Sequence, residues 1–204
     1  MMKQEFAVER KIHLMQATSG RLFRLILSAV FAALIAVGAF IRIPTPLVPV
    51  TMQLLFTTLA GLLLGGRYGA LSAALYLVLG LAGVPIFTEG GGFGYVFKPS
   101  FGYIIGFVAG AYVTGRIANH VEAPPIRRLL AANFAGMAIV YAVGFVYYYL
   151  LCNYVIATPV GLWPLFLSAV VMVAPGDIVM SILSALLAKR LIPVLHRMGV
   201  SQTV

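Results

Sequence analysis

Long, almost uncharged apolar stretches are the feature that most restricts how this chain can fold. The chain has 204 residues, of which 62% are hydrophobic and only 9% are charged, whereas about a quarter of the residues in a soluble domain are charged. The sequence therefore predicts an all-α integral membrane protein with one compact membrane domain. The six predicted transmembrane helices cover residues 22–41, 50–65, 70–84, 101–118, 129–151 and 165–191.

The basic residues predict how this bundle is oriented. Twelve of the 14 Lys and Arg residues fall on one side of the predicted bundle, and only Arg42 and Lys98 fall on the other. Because cytoplasmic segments carry the excess of Lys and Arg, both termini are predicted in the cytoplasm. Residues 1–21 then form a cytoplasmic N-terminal segment, 22–191 the membrane domain and 192–204 a cytoplasmic tail. We expect a multi-pass protein of the plasma membrane, and the net charge of +9 is topogenic rather than a nucleic-acid signature.

A glycine-rich loop between the third and fourth predicted helices is the first candidate for function. It runs over residues 81–103 and carries a single Glu89 and a single Lys98. Glycine lets a backbone approach another group closely, and aromatic rings offer flat apolar surface. The pattern favours a lid over a small ligand, and the alternative is a flexible outer loop. The residues that form the pattern are Gly90, Gly91, Gly92, Phe93, Gly94, Tyr95 and Phe97.

Asp177 is the one ionisable residue expected near the middle of the bilayer. It lies about twelve residues into the sixth predicted helix, and a charge at that depth is costly unless it faces a cavity or a partner. The alternative is local, since Pro175 can begin a new half-helix whose first turn contains Asp177. The two interpretations are compatible, because broken helices often frame substrate sites.

Other polar residues have both a functional and an ordinary interpretation. Lys98 and Glu89 can bind a ligand or simply pair with each other, and an exposed pair contributes little stability. Arg42 can be an interfacial anchor. Gln53 offers amide donors and an acceptor at the start of the second predicted helix, or it is only a polar residue at a helix end.

Small residues recur every four positions in the first predicted helix. Ala29 and Ala33 form one stripe, and Ser28, Ala32 and Ala36 form a neighbouring stripe. Small residues allow transmembrane helices to approach closely. The stripes therefore predict either contact with a partner helix or packing inside the bundle.

Signals for an enzyme are weak. The sequence has no Gly-x-x-x-x-Gly-Lys-Ser/Thr motif, so we do not expect the chain to hydrolyse ATP by itself. Its three His residues show no spacing typical of a metal site. We predict no catalytic residue, metal or cofactor, and an intramembrane enzyme or a scaffold remains the less favoured class.

Several motifs together resemble the BioY family, the biotin-binding S components of energy-coupling factor (ECF) transporters. The resemblance covers residues 22–191 in matching order. It implies a six-helix S-component fold, biotin as the ligand, and assembly with a transmembrane T component and ATP-binding subunits. The matching segments are Pro-Val-Thr-Met-Gln at 49–53, Leu-Ala-Gly-Leu-Leu-Leu-Gly-Gly-Arg at 59–67, Gly-Ala-Leu-Ser at 69–72, Gly-Val-Pro-Ile-Phe at 83–87, Lys-Pro-Ser-Phe-Gly-Tyr at 98–103 and Pro-Gly-Asp at 175–177.

The resemblance also implies roles for individual residues. Asp177 matches an acidic residue that contacts biotin, and the Ala29-x-x-x-Ala33 pattern is similar to the motif that meets the T component. Ala32 and Ala36, on the neighbouring stripe, are further candidates for that contact. The expected substrate-binding set is Gln53, Thr88, Glu89, Gly91, Lys98, Tyr103 and Asp177.

One departure from the family pattern bears on the ligand. The family usually has Lys three residues after the acidic residue, and this chain has Met180. Lys98 or Arg42 then supplies the missing positive charge, or the S component prefers a related ligand such as lipoate or a biotin precursor. Biotin itself needs an acceptor for its ureido N–H groups, an apolar wall and a cation for its carboxylate. Asp177, the loop aromatics and Lys98 are the expected sources.

Overall fold

The chain is almost entirely helical. In the computed structural model, the described residues are 2–43, 50–121 and 123–197, and the side chains of residues 2–19 and 196 are not described. Outside the described residues lie Met1, residues 44–49 with Pro44, Pro46 and Pro49, Glu122 and residues 198–204. The helices are α1 (Met2–Phe40), α2 (Gln53–Leu81), α3 (Phe101–Ala118), α4 (Ile126–Leu150), α5 (Leu162–Phe166) and α6 (Ala174–Arg197).

Five helical stretches of the described chain are long and apolar enough to cross a membrane. Four of them match single predicted helices, and their ends differ from the prediction by at most four residues. The second and third predicted helices, in contrast, fall together on α2. The five stretches are Gly20–Phe40, Gln53–Leu81, Phe101–Ala118, Ile126–Val155 and Leu162–Leu195.

Helix α2 folds back on itself at Gly65. The backbone there has φ 85° and ψ 169°, a left-handed conformation that glycine adopts without strain. Gln53 and Tyr76 lie 2.8 Å apart, between side-chain nitrogen and hydroxyl oxygen, although 23 residues of straight helix would separate them by roughly 35 Å. The two arms of α2 are therefore antiparallel, and the chain turns between the ranges 50–65 and 70–84 that the sequence predicts as separate helices.

Glycines also bring α2, α3 and α4 into close contact. A side chain added at Gly115 of α3 would collide with the backbone of Gly66 in α2. One added at Gly110 would lie 3.0 Å from the carbonyl oxygen of Gly136 in α4. Small residues at such contacts allow membrane helices to pack tightly. These three helices consequently form a closely packed frame for the pocket described below.

The last predicted helix is interrupted, as the sequence indicated. Helix α5 continues into a π-helical turn, Leu167–Val171, and α6 begins at Ala174. Pro175 is the second residue of α6, where its missing N–H costs no helical hydrogen bond. Asp177 lies in the first turn of α6. The break therefore places Asp177 at a helix start inside the bundle.

A short antiparallel ladder joins the connector after α1 to the start of α2. Strand β1 (Arg42–Ile43) pairs with β2 (Val50–Thr51), with Arg42 opposite Thr51. Because proline cannot continue a helix, Pro44, Pro46 and Pro49 predict only an extended connector here. The ladder holds Thr51 beside Gln53, the first residue of α2, which matters for the site.

Candidate ligand-binding site

A pocket opens at the end of the bundle where the glycine-rich loop lies. Counted together with the open solvent at its mouth, its empty space is about 500 Å³. Its wall combines apolar and aromatic side chains with a few polar groups. The lining residues are Thr51, Gln53, Leu54, Thr88, Tyr95, Ser100, Tyr103, Ile104, Phe107, Val140, Val173 and Asp177.

Asp177 is the acidic group of this pocket. Its side chain is 9% exposed, and its Oδ2 accepts a hydrogen bond of 2.6 Å from the hydroxyl of Tyr141 in α4. Among the described residues, no Lys or Arg forms an ion pair with it. One carboxylate oxygen is therefore held by Tyr141, and the other is free to accept a hydrogen bond from a ligand.

Gln53 is the second polar group, and it is more than a helix-end residue. It is 4% exposed. Its side-chain nitrogen lies 2.8 Å from the hydroxyl of Tyr76, and its carbonyl oxygen lies 3.1 Å from the hydroxyl of Thr51 and 3.5 Å from that of Thr88. The amide thus joins β2, both arms of α2 and the glycine-rich loop.

Aromatic rings form the apolar wall. Phe87 is fully buried and contacts Tyr76 and Tyr95, with ring centroids 5.3 Å and 4.6 Å away. Tyr103 lies edge-on to Tyr141 and donates its hydroxyl to the carbonyl of Ala169, at 3.1 Å. Phe87 and Tyr76 lie behind the wall. The contacts hold Tyr95 and Tyr103, which line the pocket together with Phe107, in positions where an apolar ring or chain can pack against them.

The glycine-rich loop is folded onto the end of α2. The N–H of Gly92, where φ is 95°, donates to the carbonyl of Gly80 at 2.7 Å. Gly91 lies so close to the carbonyl of Val84 that a side chain would collide with it. In this structure the glycines serve the packing of the loop, and Gly91 does not line the pocket.

Lys98 and Glu89 pair with each other outside the pocket. The ammonium nitrogen lies 2.5 Å from the carboxylate, and the two side chains are 42% and 49% exposed. Lys98 also lies over the ring of Tyr95, 5.5 Å from its centroid. At the same mouth, Arg42 donates to the carbonyl of Thr88 at 2.8 Å. Two cations therefore lie near the opening, and one of them is already neutralised.

The structure brings part of the predicted substrate-binding set together. Gln53, Thr88, Tyr103 and Asp177 line the pocket, whereas Glu89, Gly91 and Lys98 do not. Tyr141 and Tyr76 were missed, because their contacts with Asp177 and Gln53 cross 36 and 23 residues of chain. Thr51 was also missed, although it lies inside the Pro-Val-Thr-Met-Gln segment.

The two small-residue stripes of α1 face in different directions. Ala29 and Ala33 are exposed, whereas Ser28 is fully buried and Ala36 is half-buried. Ala32 is 4% exposed and belongs to the core around the pocket, so little of its surface is open to a partner. Of the five stripe residues, only Ala29 and Ala33 are exposed.

These features define a class of protein. Apolar spans form a multi-pass bundle, and one end of it encloses a pocket with a single carboxylate, an amide and an aromatic wall. Such a bundle is an integral membrane protein built to bind a small, partly apolar molecule.

The chain belongs to the BioY family, whose family model matches residues 9–197. It is 47% identical over 167 residues to the probable biotin transporter BioY of Lysinibacillus sphaericus, covering 82% of this chain and 85% of that one. It is 33% identical over 178 residues to the biotin transporter BioY of Rhizobium etli, covering 81% and 90%. The family and the apolar spans together make it a multi-pass protein of the cell membrane.

A solved structure has a similar fold. The S-component for biotin from an ECF-type ABC transporter superposes with a TM-score of 0.73 at 26% identity, covering 84% of this chain and 91% of that chain. The expected all-helical fold is thereby confirmed, with a biotin S-component as a structural neighbour over 84% of this chain.

Proposed function

We propose that this chain is the biotin-binding S component of an ECF-type uptake transporter. The observation that carries the proposal is the pocket, whose lining combines Asp177, bonded to Tyr141 through one carboxylate oxygen only, with aromatic side chains. Membership of the BioY family and the likeness to a biotin S-component support the choice of biotin.

The chemistry of the pocket suits the two ends of this ligand. Asp177 accepts from the ureido N–H groups of the bicyclic head, and Tyr103 and Phe107 pack against its apolar faces. The valeryl chain then leads toward the mouth, where Arg42 and Lys98 lie. A carboxylate is best placed there, close to a cation and far from Asp177.

We also propose that the chain crosses the membrane six times, with both termini in the cytoplasm. The two arms of α2 are antiparallel about Gly65, so each counts as a short crossing. The excess of Lys and Arg supports a cytoplasmic location of the termini. The pocket and its loop then face the outside, where biotin arrives.

We propose that the chain assembles with ATP-binding subunits and a T component. Its sequence carries no nucleotide-binding loop, so separate ATP-binding subunits drive the transport. Ala29 and Ala33 are small and exposed, so this stripe of α1 contacts the T component closely.

Ligand binding by the purified chain tests the proposal directly. Biotin should bind without ATP or partner subunits, because every group assigned to binding lies within this chain. Isothermal titration with biotin, dethiobiotin, lipoate and riboflavin gives the ranking. Binding of lipoate or riboflavin in place of biotin would refute the assignment.

A prediction about Lys98 tests which cation binds the carboxylate of biotin. We expect Lys98→Ala to weaken biotin about two- to tenfold more than biotin amide, because the amide has no charge and a charge-assisted contact is about twice as strong as a neutral one. The Glu89 pair is exposed, so Lys98 can exchange Glu89 for the ligand. The affinities of both compounds are measured for each variant.

Glu89→Gln is the matched control for this exchange. It removes the competing carboxylate, so biotin should bind more tightly while biotin amide is unaffected. If Lys98 only pairs with Glu89, Lys98→Ala weakens the acid and the amide equally. The carboxylate would then belong to Arg42, and Arg42→Ala would show the acid-specific loss.

A further inference from the structure

Tyr76 is a buried tyrosine that bonds to the pocket without lining it. It lies on the second arm of α2 and is fully buried. Its hydroxyl lies between two groups, the side-chain nitrogen of Gln53 at 2.8 Å and the backbone carbonyl of Ile86 at 3.2 Å. Tyr76 therefore connects a pocket side chain to the glycine-rich loop.

The hydrogen count of this network determines how the Gln53 amide is oriented. A tyrosine hydroxyl has one hydrogen, and the Ile86 carbonyl can only accept. The hydrogen of Tyr76 is therefore donated to Ile86, and the oxygen of Tyr76 accepts from Gln53. The amide nitrogen must then face Tyr76. The amide oxygen faces Thr51 and Thr88, whose hydroxyls can donate to it.

We propose that Tyr76 is a positioning residue that sets the ligand specificity of the pocket by fixing the orientation of Gln53. One amide hydrogen of Gln53 is donated to Tyr76. The other has no acceptor among the described residues, so it is available to a ligand. With the amide reversed, Gln53 would offer an acceptor at the same place.

This orientation gives the polar end of the pocket a definite pattern. Gln53 supplies a donor, whereas Asp177 supplies an acceptor and the hydroxyl oxygens of Thr51 and Thr88 retain lone pairs. A planar group with one acceptor oxygen flanked by N–H donors matches this pattern, and a cyclic urea is such a group. The inference rests on the proposed function, since biotin carries this urea.

The test compares biotin with 2-iminobiotin, in which a protonated imine replaces the urea oxygen and leaves donors alone. We measure both affinities for the purified full chain by isothermal titration. In Tyr76→Phe the amide loses its fixed orientation and can turn its oxygen to the ligand. We expect the preference for biotin over 2-iminobiotin to fall about three- to tenfold, the effect of one hydrogen bond.

Tyr147→Phe is the matched control. The hydroxyl of Tyr147 donates to the carbonyl of Val96, so this variant also removes a tyrosine anchor of the same loop, but one that does not contact Gln53. The preference should not change in Tyr147→Phe. An equal fall in both variants, or no fall in Tyr76→Phe, would overturn the role of Tyr76.

A second variant changes the same amide directly. Gln53→Glu replaces the amide nitrogen that faces Tyr76 with an oxygen, so it removes the donor to the ligand and should lower the preference in the same direction even if Tyr76→Phe does not fold. A wild-type chain that binds neither compound refutes the proposed function. A chain that binds biotin with an unchanged preference in both variants refutes only the inference about Tyr76.

Discussion

Asp177→Ala should lose most of its biotin affinity, about 10- to 100-fold, while the protein still inserts and folds. The carboxylate is buried at the pocket wall, and among the described residues it has no cation to neutralise it. A hydrogen bond that involves a charged group contributes about 1.5–3 kcal/mol, which corresponds to this loss. Titration of the detergent-purified variant measures it, and size-exclusion chromatography checks its folding.

Two milder variants separate the effect of the Asp177 charge from the effect of the hydrogen bond that Tyr141 donates to it. Asp177→Asn keeps the shape and an acceptor for Tyr141 but removes the charge, so the loss should approach that of the alanine variant. Tyr141→Phe keeps the charge and removes the donor at 2.6 Å, so we expect a smaller loss of about three- to tenfold. Unchanged affinity in Asp177→Ala would leave Asp177 only its role in the first turn of α6.

The helices could be predicted from the sequence because lipid imposes a simple rule. An apolar run must be helical to satisfy its backbone, and charged or breaker residues end it. The prediction for residues 101–118 coincides with α3. The apolar pattern marks only the part of a helix that lies in lipid. It could not show that α1 starts at Met2, because polar residues can continue a helix beyond the bilayer.

Only those residues of the site that stand out in the local sequence could be predicted. Gln53 and Asp177 stand out as polar residues at the ends or in the middle of apolar runs. Tyr141 has no such signal, since a tyrosine in a membrane helix is common and its partner lies on another helix. Spacing along the chain also could not decide whether Lys98 bonds to Glu89 or to a ligand.

Which of the two α1 stripes is buried could not be predicted from residue spacing either. Ala29 and Ala32 are three residues apart and lie on adjacent parts of one helical face. Either stripe could face the bundle by spacing alone. Only packing against the rest of the chain buries Ala32 and leaves Ala29 open.

Replacing both Ala29 and Ala33 with tryptophan should abolish biotin uptake and leave biotin binding nearly intact. Both residues are exposed on α1, and neither lines the pocket. Tryptophan adds bulk where the proposed T component needs close approach of its helices. Uptake of labelled biotin is measured in cells that express the partner subunits, and binding is measured on the purified variant.

Another helix supplies the matched control. Val146 and Leu150 of α4 are 55% and 49% exposed, have the same four-residue spacing and do not line the pocket, but their side chains are already large. Tryptophan at both positions adds bulk away from the Ala29/Ala33 stripe, so uptake should persist. Equal loss of uptake in the two double variants would indicate a general effect of added bulk. If the Ala29/Ala33 variant keeps full uptake, the T component contacts another surface, and Ala32 is no substitute, because tryptophan at that buried position would disrupt the core.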